Sequence, residues 1–87
     1  MSGTFYEVDG HFYTSKDDIP DLGGLVGHAN PDGTRSYDGH YSDRNKLPKY
    51  DDLMTGSSAF LSDGGSFLLF KYYADTKTWE GGNKEVI

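Results

Sequence analysis

The chain predicts a mainly β fold: a small single antiparallel sheet or partly open barrel of about five to seven short strands, with one or two short helical turns. Three observations carry that prediction. Glycine-based turn signals, Asp9-Gly10, Asp32-Gly33 and Gly64-Gly65, recur along the chain and separate short runs of aromatic, β-branched and leucine residues. Aromatic residues are 15% of the chain where all hydrophobic residues together are 34%, so rings must fill much of the interior. Twelve glycines in 87 residues favour many reversals and few long helices. A chain of this length makes one domain, taken as residues 1–80, with little spare stability.

Residues 1–3 read as a loose end. Thr4 to Val8 forms the first strand, and Asp9-Gly10 turns it into His11 to Thr14. A two-residue loop sets Val8 opposite His11 and Tyr6 opposite Tyr13 on one side, with Phe5 and Phe12 diagonal on the other. One of those faces is expected to pack on the C-terminal strands. Ser15-Lys16-Asp17-Asp18 has the spacing of a helix cap, but Pro20, Gly23 and Gly24 limit it to one turn. Leu22 to Ala29 reads as a weak strand. Asn30-Pro31-Asp32-Gly33 reverses it into Thr34 to Tyr37, a hairpin short on apolar residues and so expected to be exposed and mobile. Asp38 to Lys46 reads as a polar surface loop. In Leu47-Pro48-Lys49-Tyr50-Asp51-Asp52-Leu53, the early proline, the acids and the spacing of Leu47, Tyr50 and Leu53 predict a short helical turn that closes one end of the sheet.

The densest apolar stretch runs from Gly56 to Trp79, and the rest of the chain has to pack on it. Ala59-Phe60-Leu61 and Phe67-Leu68-Leu69-Phe70 flank a glycine reversal, and Thr78-Trp79-Glu80 adds a third strand after the polar break at residues 74–77. Phe67 to Phe70 is apolar without alternation, which predicts a central strand covered on both faces. Residues 81–87, glycine-rich and then charged, read as a disordered tail.

Composition narrows the chemistry. Fourteen acids against eight bases give a net charge of −6, which repels a phosphate backbone and argues against a nucleic-acid partner. No cysteine is present, which removes disulfide staples and thiolate metal sites. No apolar run approaches the roughly 20 residues that cross a bilayer, and the first residues lack a signal-peptide pattern, so no membrane partner is expected. His11, His28 and His40 are too widely spaced for a paired metal site, and Asp32, Asp38 and Asp43 fit turn chemistry better than a calcium loop, so neither metal nor cofactor is expected. Neither a nucleophile elbow nor a phosphate loop appears, and the chain is read as non-enzymatic.

Tyr37, Tyr41, Tyr72, Tyr73 and Trp79 are the candidate binding residues, because tyrosine and tryptophan are enriched where proteins meet partners and where rings stack on sugars. The competing reading of the same rings is core, since alternate aromatics fill the interior of a small sheet.

Leu47-Pro48-Lys49-Tyr50-Asp51-Asp52-Leu53, Gly56-Ser57-Ser58-Ala59, Asp63-Gly64-Gly65, Phe67 to Phe70 and Thr76-Lys77-Thr78-Trp79 together form a pattern covering a little over a third of the chain. It resembles the ending of small uncharacterised proteins encoded in tailed-bacteriophage and prophage structural gene clusters. In those proteins an acid more often follows the aromatic strand directly, where this chain has Lys71-Tyr72-Tyr73-Ala74. The resemblance implies a non-enzymatic structural or accessory protein that docks on a phage head or tail component through a strand edge and aromatics. It would be made in the bacterial host cytoplasm during assembly and then carried in the virion. Two alternatives stand beside it: a carbohydrate- or peptide-binding module that uses the aromatic face, and an acidic inhibitor of a host nucleic-acid enzyme.

Overall fold

The computed structural model describes residues 5–87. The loose end expected at residues 1–3 and the strand start at Thr4 lie outside the described residues. The elements are β1 (Tyr6–Val8), β2 (His11–Tyr13), a 3-10 turn (Lys16–Asp18), β3 (Val26–Ala29), β4 (Arg35–His40), a second 3-10 turn (Tyr41–Lys46), β5 (Ser58–Asp63), β6 (Ser66–Tyr73), β7 (Thr78–Gly81) and β8 (Glu85–Val86). β1 and β2 pair as a separate hairpin, and β3 to β8 lie side by side in chain order as one open sheet. The fold is mainly β, as the turn pattern predicts.

Neighbouring strands are antiparallel except β4 and β5, which are parallel, with Tyr37 opposite Ala59. Parallel neighbours need a long return path, and residues 41–57 supply it. That crossover lies over one face of the sheet and makes the core with it. Tyr37, Ala59, Leu61, Phe70, Tyr72 and Trp79 point inward from the strands, and Leu47 and Leu53 come from the crossover. Trp79 is fully buried, 5.1 Å from the Tyr72 ring and edge-on to Tyr37 at 5.9 Å. Its indole Nε1 donates to the Pro48 carbonyl at 2.9 Å, so the one polar atom of the ring is satisfied inside the core.

That bond explains one departure from the sequence pattern. Residues 47–53 are not helical: a helix would commit the Pro48 carbonyl to the backbone N–H four residues on, whereas here it serves Trp79. Leu47 and Leu53 still reach the core, but from an irregular segment closed by a bond from the Leu53 N–H to the Tyr50 carbonyl. The helical turn lies earlier, at Tyr41–Lys46, in the stretch expected to be a loop. The second hairpin also departs. β4 extends to His40 and is an inner strand with Tyr37 buried, because its second edge is taken by β5 rather than left to solvent.

The central meander follows the sequence closely. β5 and β6 reverse through Gly64 and Gly65, at φ of 57° and 92°, the left-handed pair that a two-residue hairpin loop needs. β6 is an inner strand, but only one of its faces is covered. Phe70 and Tyr72 are buried, while Phe67 is 71% exposed and Leu69 41%. Residues 67–70 are apolar on both phases of the strand, and among the described residues the packed layer lies on one side.

β1 and β2 have the expected register, Val8 opposite His11 and Tyr6 opposite Tyr13. Neither face of this hairpin lies on the meander. Phe5 and Phe12 are exposed, and the hairpin meets the body at its turn. Ser15 caps the first 3-10 turn through its side chain, as its spacing predicts. Residues 81–87, expected to be a disordered tail, complete the sheet instead. Glu85 pairs with Gly81, the Trp79 and Ile87 backbones bond each other in both directions, and Arg44 Nε donates to Glu85 at 2.8 Å. The tail is held by backbone pairing, by Glu85 and by Ile87, which packs against the core, and a composition reading registers none of these placements.

Candidate functional site

Two features of the sheet face outward and lack a partner within the described residues: its uncovered face and its β3 edge. The uncovered face follows from the register. Phe60 lies opposite Leu69, Ser62 opposite Phe67, and Ser58 opposite Lys71, so β5 and β6 together present Phe60, Phe67 and Leu69 as one ridge. Tyr73 continues it along β6, and Val26 and Val86 flank it from the two edge strands. Charge on this face is sparse and mixed, with Asp38, Lys71 and Glu80, and the imidazole of His28 sits 3.6 Å from Asp38. The edges differ. β8 is two residues long and Glu85 is held by Arg44 and the Tyr41 hydroxyl, whereas β3 is four residues long and leaves its outer side open. An open edge is a template for strand addition.

Glu85 shows how firmly β8 is held. The hydrogen bond from Tyr41 and then the Arg44 guanidinium hold its carboxyl below the usual range, and Glu85 in turn raises the Tyr41 phenol.

A buried polar cluster joins the hairpin to the sheet. Asp9, at φ 56°, opens the turn between β1 and β2, and its carboxylate is 2% exposed. It accepts from Arg35 Nη2 and from the Tyr37 hydroxyl, and it lies directly beneath Gly27, where any β-carbon would collide with it. Arg35 Nε also donates to the Tyr37 oxygen at 3.3 Å. Next to Asp9, His11 stacks on Tyr50 with ring centroids 4.1 Å apart and bonds Asp52 through Nε2 at 2.9 Å. Burial pushes the Tyr37 and Tyr50 phenols well above the ordinary tyrosine range, with the Asp9 charge adding to it. Each charge in this cluster has a partner inside it, and its chemistry is that of a clasp.

The five aromatics singled out in the sequence do not share a surface. Tyr37, Tyr72 and Trp79 are inside the core, Tyr41 is half-buried against Glu85 and Arg44, and Tyr73 alone is exposed, on the opposite side of β6 from Tyr72. The outward ridge of Phe60, Phe67 and Leu69 is absent from that set. Lys71 is the signal that finds it. A lysine ammonium is almost never fully buried without a partner, so Lys71 marks its own phase of the strand, residues 67, 69, 71 and 73, as the outer one.

Among the described residues no group of three or more His, Asp or Glu side chains is placed to hold a metal ion, no cavity is formed, and no helix is long and apolar enough to cross a membrane. Comparison with family models, with curated proteins and with solved structures gave no match.

Proposed function

We propose that this chain is a non-enzymatic structural or accessory component of a protein assembly, and that it docks by strand addition at β3. The observation that carries the docking reading is the open β3 edge. Val26–Ala29 pairs with β4 on one side only, its side chains are short or exposed, and the six-stranded sheet behind it is held rigid by the core. A segment from another protein can extend the sheet there through backbone bonds.

The sequence resemblance narrows the assembly to a tailed-phage or prophage particle, with a head or tail protein as partner. The carbohydrate-binding alternative draws less support, because Trp79, Tyr37 and Tyr72 offer no open ring. The acidic-inhibitor alternative leans on Asp51 and Asp52, which are already engaged by Lys77 and His11.

The test is composition of purified particles from cells that carry the gene. The chain is expected in fixed stoichiometry with one head or tail protein, and Ala29→Lys, which places a charge on the edge without entering the core, should lower its occupancy. Particles free of the chain, or full occupancy by Ala29→Lys, would refute the reading.

A further inference from the structure

We infer that the uncovered sheet face is the interface of a homodimer, covered by a second copy of this chain in a face-to-face arrangement. The inference goes beyond docking at β3, which it leaves open, and rests on area, charge and register.

Five strand spacings of about 4.8 Å make the sheet about 24 Å wide, and Phe67 to Tyr73 rise about 20 Å, so the face projects about 500 Å². Two such faces bury about 1,000 Å² in all, just below the range of standard specific interfaces and within that of weak ones. This is enough for a dimer at the weak end of the range. A sheet with its core on one side and an apolar ridge on the other is also half of a sandwich, whose two layers pack about 10 Å apart.

Charge does not oppose a second copy. The chain carries a net charge of −6, yet among the described residues its uncovered face sets Asp38 and Glu80 against Lys71, with His28 and His40 beside them, so two copies meet there with little repulsion. Register supplies the complementarity. A twofold axis running along the strands between β5 and β6 lays β5 of one copy on β6 of the other. Phe60 then faces Leu69 of the second copy, because those two residues are already level in the sheet. By the same rows Phe67 faces Ser62, Lys71 faces Ser58, Glu80 faces Ser36 and His28 faces Val86. The ridge meets itself, Lys71 and Glu80 each meet a serine, and Asp38, level with Leu69, faces past the end of β7.

Analytical ultracentrifugation of the full chain from about 10 µM to about 1 mM should show a monomer–dimer equilibrium with Kd on the order of 10–100 µM. Leu69→Lys should weaken it at least tenfold while circular dichroism and Trp79 fluorescence stay unchanged, and Phe12→Ser, on the hairpin, should leave it as in the wild type. A wild type that is monomeric throughout, a Leu69→Lys variant that dimerises normally, or loss of the dimer in Phe12→Ser overturns the inference. A monomer that still occupies particles overturns the dimer and leaves β3 docking standing. A dimer absent from particles does the reverse.

Discussion

The hairpins β1–β2 and β5–β6 are made with the same device and held by opposite chemistry. Each turns on two residues at positive φ, Asp9 and Gly10 at 56° and 81°, Gly64 and Gly65 at 57° and 92°. Each therefore has the register that a two-residue loop dictates. β5–β6 is then anchored by Ala59, Leu61, Phe70 and Tyr72, all buried. β1–β2 buries no apolar side chain of that kind and is attached through the Asp9 carboxylate and the His11 ring. Turn chemistry fixes which residues face each other. What fixes a hairpin to the molecule is a separate matter, apolar area in one case and satisfied charge in the other.

The comparison breaks if the core does not carry the sheet. Trp79→Ala removes the ring that touches Tyr37 and Tyr72 and leaves the Pro48 carbonyl unpaired, so it should cost about 3–5 kcal/mol in chemical denaturation. For a chain this small that is most of its stability. A loss below about 1 kcal/mol would mean that the packed side of the sheet is not where the stability lies.

High pH should undo the core and the clasp together, because both depend on neutral phenols. Burial raises Tyr37, Tyr50 and Tyr72 above the ordinary value. In the unfolded chain these phenols ionise near pH ~10, while in the folded chain they hold their protons to higher pH. Their contribution is therefore fully present below pH ~10 and lost as pH rises through the raised values, since the unfolded state then binds fewer protons. Phenolate absorbance followed beside circular dichroism should show these three tyrosines ionising with unfolding. Their ionisation at the ordinary pH in a chain that stays folded would contradict the burial of all three.

Asp9→Asn separates the two hairpins. It leaves the Arg35 guanidinium without its carboxylate and should cost about 1–3 kcal/mol. The loss should be local. Hydrogen exchange is expected to speed at residues 6–13 and to leave β5 and β6 protected, since no core side chain comes from β1 or β2. Equal loss of protection in both hairpins would show that they unfold as one unit.

The same contrast explains what could be read in the sequence. Both two-residue turns, the Ser15 cap and the β5–β6–β7 meander were legible because they are local: a dipeptide or a short apolar run determines each. The parallel β4–β5 pairing was not, because it depends on how residues 41–57 return across the sheet. Asp9 was legible as a turn residue and hidden as a buried charge, since its partners Arg35 and Tyr37 lie on a distant strand. The aromatics were visible as a group, but their division between core and surface hangs on strand phase. In Phe67-Leu68-Leu69-Phe70 both phases are apolar, so Lys71 is the first residue that tells them apart.

Phe12 and Phe70 give the finest version of the comparison, because the residue type is the same and only the hairpin differs. Phe70 is fully buried, and Phe70→Ser should be severely destabilising through both the void and the buried hydroxyl. Phe12 is 73% exposed on the side of β2 that faces away from the body, opposite Glu7. A surface substitution of this kind changes stability by no more than about 0.5 kcal/mol. Phe12→Ser should therefore leave the denaturation midpoint nearly unmoved, and the amides of β1 and β2 should keep their exchange rates, because the turn and the Asp9 clasp are intact. A cost above about 1 kcal/mol would mean that the outer face of the hairpin is covered in solution, and that apolar burial, rather than charge, holds it in place.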